Sequence, residues 1–363
     1  MKRLLCIISS LDAGGAETFL MKIYRALPPD RYQMDFVVSA DNGYYTQEIL
    51  ERGGRIFFVP MRTKHPIKAF WELKRIVKNN GYRHVLKLSD SPIAVVDLLA
   101  AKCGGAKVLA VRSCNALTNL SWKKKLLDGL LRPILNQMAT VKIAPSDLAA
   151  AYTFGQKQLD RGKVILLNNA VDLEVFRFDP EGREAIRREL SLENKTVIGH
   201  VGRFNVQKNH RFLLEVFCQI RKKEESAVLL LVGKGELEMQ IREHARQLKI
   251  SDSVLFTGVR SDVPQLLSAM DVLLLPSLHE GMPNVVIEAQ ATGLPCVIAD
   301  TITRSADVTG LVQYLPLGDT VEDWAQAALA AVGPRQDTKE KMKASGYDIH
   351  SVVHGFAERV FYK

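Results

Sequence analysis

IISSLDAGGAETFLMKIY (7–24) and GHVGRFNVQKNHRFLLEVF (199–217) share one pattern: an apolar run, a loop carrying glycine, then a stretch with helical periodicity. A strand that feeds a helix through a glycine turn is the opening unit of a parallel α/β sheet. Two copies predict two sheets. Around the first copy lie short apolar runs rich in β-branched residues: LLCIIS (4–9), DFVVS (35–39), HVLKLS (84–89), KVLAVR (107–112), TVKIAPS (140–146) and KVILLN (163–168). A second series follows, with TVIGHVG (196–202), AVLLLVG (227–233), SVLFTG (253–258), VLLLPS (272–277) and PCVIAD (295–300). Helical stretches separate them, and that alternation predicts parallel strands with helices on both faces.

The chain has 363 residues, more than one core organises at roughly 100–200 residues per domain. Between the two series, NNAVDLEVFRFDPEG (168–182) is rich in turn formers and reads as the connection. The expected division is an amino-terminal domain over 1–173 and a second over 174–345. A terminal helix over 346–363 is expected to pack back on the first domain. Two such domains imply a cleft, with one glycine loop from each facing it.

Composition narrows the class. With 47% hydrophobic and 25% charged residues, the chain is neither disordered nor fibrous. Cys6, Cys103, Cys114, Cys218 and Cys296 form no CxxC pair and are odd in number, which argues against a disulfide framework and fits a reducing cytoplasm. MKRLLCIISSLD loses its apolar character at Asp12 and reads as a buried first strand rather than a secretory leader. No later run approaches the roughly 20 apolar residues of a membrane span. The net charge of +9 is uneven: +13 over residues 1–170 and −4 over 171–363. A basic half of that kind faces either an anionic partner or simply solvent.

PSLHEGMPNVVIEAQATGLP (276–295) carries most of the chemistry. Glu280 and Glu288 are eight positions apart, and Gly281, Met282, Pro283, Asn284 and Val285 form a turn into a helix. N–H groups at a helix start favour an anion. An ionised carboxylate accepts hydrogen bonds only, so Glu288 suits a vicinal diol such as a ribose, and Glu280 a second sugar. In the second glycine loop, Arg203 and Lys208 follow Gly202, placing two cations beside a tight turn, as a diphosphate leaving group requires. No two aspartates are separated by one residue, so the DxD route to a metal is missing and metal-independent chemistry without a cofactor is expected. Gly14 and Gly15 permit close backbone approach to a ligand but do not make the GxGxxG of a nicotinamide enzyme.

These segments together resemble glycosyltransferase family 4, the retaining enzymes of GT-B architecture, and within it the bacterial capsular and exopolysaccharide transferases. The resemblance spans the chain. It rests on the E-x7-E element from Glu280 to Glu288, the GR-x4-K element of Gly202, Arg203 and Lys208, the GGAE from Gly14 to Glu17, and DTITRSADVTGLVQYLPL (300–317). It implies two Rossmann-like domains, a nucleotide-sugar donor and a saccharide or lipid-linked saccharide acceptor. Arg203 and Lys208 are then expected to hold the diphosphate, Glu288 the ribose, Glu280 and its turn the donor sugar, and Gly258, Val259 and Arg260 the base. Relatives often carry an HSHN-like stretch where this chain has Arg112-Ser113-Cys114-Asn115, so no catalytic histidine carries over. Asp90, Arg112 and Asn115 remain as acceptor-side candidates.

Other features point less far. His200, His210 and His279 lie near these motifs but match no metal spacing and read as structural. SWKKKLLDGLLRPILNQM (121–138) has three lysines, a tryptophan and a leucine-rich face; it either lies at a bilayer interface or packs into the core with its lysines solvated. The expected activity is transfer of a hexose or N-acetylhexosamine from a nucleotide-diphosphate sugar, UDP by preference, in surface polysaccharide assembly at the inner face of the membrane. An epimerase or phosphorylase of the same architecture, and a silent nucleotide-sugar-binding partner subunit, are the competing readings. Nucleic-acid binding would rest on the basic half alone, without a recognisable element to support it.

Overall fold

The computed structural model describes residues 1–362 apart from 13, 41–42, 90, 115–120 and 281. The chain divides into two compact units, Met1–Ala170 with Gly346–Lys363, and Val171–Ser345.

The first unit carries strands β1 (Lys2–Ile7), β2 (Tyr32–Val38), β3 (Ile56–Phe58), β4 (His84–Ser89), β5 (Val108–Ser113), β6 (Val141–Ala144) and β7 (Ile165–Leu166). They form one sheet in the order β3-β2-β1-β4-β5-β6-β7, and every pair is parallel. Its helices before the break are α1 (Gly15–Ala26), α2 (Thr46–Glu51), α3 (Pro66–Asn79), α4 (Val95–Cys103), α5 (Trp122–Met138), α6 (Asp147–Phe154) and α7 (Gln156–Asp160). Successive side chains of a strand point to opposite faces. Leu4 and Cys6 therefore join the core under α1, while Leu5 and Ile7 join the core under α3, α4 and α5. Both faces are covered, which is why these strands read as continuous apolar runs.

The second unit has α8 (Pro180–Glu189), β8 (Val197–Val201), α9 (His210–Lys223), β9 (Val228–Val232), α10 (Glu238–Gln247), β10 (Val254–Gly258), α11 (Val263–Ala269), β11 (Val272–Leu275), α12 (Asn284–Ala291), β12 (Cys296–Ala299), β13 (Val312–Leu315), α13 (Val321–Ala331) and α14 (Lys339–Ala344). Its sheet runs β10-β9-β8-β11-β12-β13, again parallel throughout. The last helix, α15 (Ile349–Phe361), returns to the first unit. Val352, Val353, Phe356 and Val360 enter the core beside α1, and the Phe356 ring meets Phe19 edge-on at 6.4 Å.

Two strands are not apparent in the sequence. β3 and β13 are edge strands of three and four residues, half-exposed and too short for an apolar run to stand out. KVILLN, expected as a strand over 163–168, pairs only at Ile165–Leu166.

At the end of α11 the last carbonyls have no helical partner and carry the negative end of the helix dipole. Arg183, Arg187 and Arg335 converge there: Arg183 donates to Ser268 at 2.8 Å, Arg187 to Ala269 at 3.0 Å and Arg335 to Leu267 at 2.8 Å. Asp271 balances them, lying 2.7 Å from both Arg183 and Arg187. Burial, then the neighbouring Arg183, pulls the Arg335 guanidinium down to about 10.

Candidate functional site

In an open parallel sheet, ligands bind beyond the carboxyl ends of the strands where the winding direction reverses. In the second unit that point lies between β8 and β11. The loop after β8 starts with Gly202, and the loop after β11 contains His279 and Glu280.

Glycine is required where the loops after β8 and β9 meet. Gly202 donates to the Val232 carbonyl at 3.0 Å, and Phe204 to the Lys234 carbonyl at 3.1 Å. Gly233 has φ +136°, and a Cβ there would overlap the Gly202 carbonyl; one at Gly235 would overlap the Phe204 carbonyl. Gly233→Ala is strained twice, by its backbone angle and by contact with main chain that has nowhere to go. It should cost about 2–4 kcal/mol of stability, and an unchanged melting temperature would contradict this packing.

Beyond Gly202 the chain makes one 3-10 turn, Val206–Lys208, capped by the Asn205 side chain, which accepts from the Lys208 N–H at 3.2 Å. Asn209 then takes the left-handed conformation, φ 53°, and turns the chain into α9. This short turn points Lys208 back under Gly202, where a Cβ would sit 2.9 Å from Lys208 Cε. Lys208 Nζ donates to Glu280 Oε1 at 2.6 Å, with both side chains largely buried. Two further bonds latch the same loops: Leu278 N–H to the Gln207 carbonyl at 2.8 Å, and Gln207 Nε2 to the His279 carbonyl at 2.9 Å.

Arg203 differs. Its side chain is 72% exposed and pairs at 3.2 Å with Glu236 from the loop after β9. Met282 and Pro283 lead into α12, with Pro283 at the cap and no side chain capping the helix. Asn284 opens that helix, Val285 is buried in the core, and Glu288 lies one turn further on, half-buried. Gln290, fully buried on α12, donates to Ala306 at 2.7 Å and accepts from the Val308 and Thr309 N–H groups, tying 306–309 to the helix. Gly258 has φ +71° and accepts from Gly233 N–H at 2.8 Å; Val259 is exposed, and Arg260 is held by Asp262 at 2.6 Å and Glu189 at 2.8 Å.

The buried histidines lie beneath this turn. His200 and His210 rings pack edge-on with centroids 4.7 Å apart, and His200 Nδ1 lies 2.9 Å from the Leu274 carbonyl. Burial, and then Lys208, pulls His210 down to about 4. Burial, His210 and Lys208 pull His200 well below 6.5. Both stay neutral in the fold, while the unfolded chain takes up protons as pH drops past 6.5. Stability is therefore complete above 6.5 and lost as pH falls toward 4, by roughly 3 kcal/mol for His210 alone. Urea midpoints measured across that window should fall for the wild type and fall less for His210→Leu.

In the first unit, Gly14 is the cap of α1 and Gly15 its first residue; Gly14 donates to the Asp12 carbonyl at 2.8 Å. Arg112 is buried rather than open to a ligand: its guanidinium lies 3.6 Å from the Phe19 ring centre and donates to Asn169 Oδ1 at 2.6 Å. It ties β5 to the segment before the chain leaves this unit. Asp90, Asn115 and Gly281 lie outside the described residues.

The fold therefore brings Gly202, Lys208 and Glu280 together and leaves Arg203 at the rim. Asn205, Gln207, Gly233, Gly235 and Glu236 are site residues that the motifs did not single out. A signal for three of them lies in VGKGE (232–236), a second glycine loop directly after a strand. Among the described residues, no group of three His, Cys, Asp or Glu side chains is placed to hold a metal ion.

Two family models match. The model described as Glycosyltransferase Family 4 covers residues 13–175, and Glycosyl transferases group 1 covers residues 195–333. The putative glycosyltransferase EpsF of Bacillus subtilis is 36% identical over 97% of this chain and 94% of its own. The UDP-Gal:alpha-D-GlcNAc-diphosphoundecaprenol alpha-1,3-galactosyltransferase of Escherichia coli is 26% identical over 79% of this chain and 76% of its own. Among solved structures, Anabaena HepE in complex with UDP-glucose superposes with a TM-score of 0.78 over the full length of both chains at 19% identity, which bears on the fold. The chain belongs to glycosyltransferase family 4 and has the two parallel-sheet units of the GT-B architecture.

Proposed function

We propose that this glycosyltransferase moves a hexose or N-acetylhexosamine from a UDP-sugar to a lipid-linked saccharide acceptor in surface polysaccharide synthesis, with retention at the anomeric carbon and without a metal ion. The observation that carries the reading is the buried Lys208–Glu280 pair beside Gly202, at the reversal point of the second sheet.

A departing UDP develops negative charge on its β-phosphate. Lys208, held by its ion pair, and Arg203, swung in from the rim, supply positive charge to that group, and the start of α12 supplies oriented N–H dipoles. Two cations and a helix dipole do the neutralising that a DxD-bound metal does elsewhere. Glu288 accepts from the ribose hydroxyls, Glu280 and its turn from hydroxyls of the sugar, and the base rests on the backbone around Gly258, Val259 and Arg260. For retention, the acceptor oxygen attacks the face the phosphate is leaving. The C1–O bond to phosphate breaks, the new C1–O bond forms, and the acceptor proton passes to the phosphate oxygen, so no protein nucleophile is assigned. The UDP preference and the lipid-diphosphate acceptor are supported by the activity named for the Escherichia coli relative. With such an acceptor, the enzyme works against the inner face of the membrane.

Thermal-shift titration with UDP, GDP and ADP, with and without magnesium, tests the donor site. UDP should stabilise the protein equally in both conditions. Glu288→Ala and Arg203→Ala should each weaken UDP about tenfold or more, through lost charge-assisted hydrogen bonds; unchanged affinity in both would remove the assignment.

A further inference from the structure

On α5, Trp122, Leu126, Leu130 and Ile134 recur every fourth residue and so share one stripe. All four are exposed, at 70%, 60%, 65% and 48%. The inner side of the same helix buries Leu135 in the core and carries polar anchors beside it. Asp128 is buried and accepts from Ser91 Oγ at 2.7 Å and Tyr152 Oη at 3.2 Å. Arg132 donates to the Tyr152 carbonyl at 3.0 Å, and Asn136 to the Phe154 carbonyl at 2.8 Å. A surface helix in water turns its apolar stripe inward. This one seats Leu135 in the core, is pinned there by polar bonds as well, and keeps a second apolar stripe facing out, which the core does not use.

The surface extends beyond α5. α3 and α5 both pack on α4 and bury their inner sides in one core cluster, so their outer sides leave the same face of the sheet. On α3, Ile67 and Trp71 are exposed, and Lys74 Nζ lies 4.5 Å from the Trp71 ring centre. Lys123 and Lys125, both exposed, flank the α5 stripe, and Lys64 and Lys68 are exposed beside that of α3. Residues 1–170, which hold this face, carry +13, against −4 for the remainder. Among the described residues no helix is long and apolar enough to cross a membrane.

We propose that the outer face of α5, continued by α3, is the surface on which this protein seats itself on an anionic lipid bilayer. The inference deepens the proposed function, since it rests on an acceptor held in a membrane and names the surface that meets that membrane. Leucine and isoleucine enter the acyl boundary, tryptophan sits at the headgroup level, and the flanking lysines meet anionic headgroups. Protein–protein interfaces are depleted of lysine, so the ring of lysines favours lipid over a second chain.

The test is co-sedimentation of the full chain with phosphatidylcholine vesicles, with and without phosphatidylglycerol. Binding should require phosphatidylglycerol, fall with added salt, and shift the tryptophan emission to the blue through Trp71 and Trp122, since Trp324 is already buried. Leu126→Gln with Leu130→Gln should lower vesicle affinity about tenfold or more. Lys123→Gln with Lys125→Gln should lower it chiefly on the anionic vesicles. Melting temperature and UDP stabilisation should stay at wild-type values in both variants, because these side chains lie on the outer face. Wild-type protein that ignores both vesicles, or variants that bind as well as wild type, would overturn the proposal. A solution dimer dispersed by the leucine substitutions would also overturn it, by giving the face to a second copy. Vesicle binding without any UDP stabilisation would leave the surface standing and defeat the donor reading alone.

Discussion

Lys208→Ala lowers kcat/KM for sugar transfer by about 10²–10³-fold, the loss expected when one preorganised charge is removed from the place where transition-state charge develops. This is the largest effect on catalysis that the proposed function predicts. Lys208 is held by three local devices: the Asn205 cap, the left-handed Asn209 and the ion pair to Glu280. On the proposed function, its ammonium is then preorganised toward the diphosphate and needs little rearrangement to engage it. Arg203, extended at the rim beside Glu236, must swing to engage and should cost less on truncation. Removing Lys208 also takes the ion-pair partner from Glu280, a largely buried carboxylate, so part of the loss is structural. Glu280→Gln separates the two contributions. If the pair acts as a unit, the double substitution falls well short of the product of the singles. Steady-state kinetics with donor varied, alongside UDP titration of each variant, make the comparison. A Lys208→Ala enzyme within about threefold of wild type would end the leaving-group assignment.

Asp271→Ala should destabilise the second unit by about 3–5 kcal/mol, the cost of leaving buried charge uncompensated. Asp271 Oδ1 and Oδ2 each take one arginine, and Oδ2 also accepts from the Val197 N–H at 2.8 Å, so one carboxylate joins α8, β8 and the start of β11. Without it, Arg183, Arg187 and Arg335 crowd together against carbonyl dipoles alone. Asp271→Asn preserves shape but removes the charge and turns one of the two acceptor oxygens into a donor facing an arginine or the Val197 N–H, so it should lose nearly as much. Urea unfolding followed by far-ultraviolet dichroism gives the number. A loss under about 1 kcal/mol for both would show that the α11 carbonyls suffice for the three guanidinium groups.

Much of this protein is legible in its amino-acid sequence alone. The inner strands of both sheets stand out because strands covered on both faces need unbroken apolar runs, as in VLLLV of β9 and VLLL of β11. The glycine turns after β1 and β8 are visible because few residues other than glycine tolerate such close backbone approach. The E-x7-E spacing puts Glu280 ahead of α12 and Glu288 on it, and the family follows from those motifs.

Other features are relations between distant residues, and no local pattern encodes them. Lys208 meets Glu280 across 72 positions because β8 and β11 are neighbours in the sheet though three strands apart in the chain. Gly233 is an obligatory glycine because its loop packs backbone to backbone against Gly202. Arg335 closes on the carbonyl of Leu267 from 68 residues away. β3 and β13 became strands only because a sheet edge was there to pair with. The helical period of residues 121–138 established by itself that α5 has an apolar stripe. Only the tertiary structure decided that the stripe faces outward, because Leu135 enters the core and the polar anchors Asp128, Arg132 and Asn136 find their partners elsewhere in the fold, which together set the rotation of the helix about its axis.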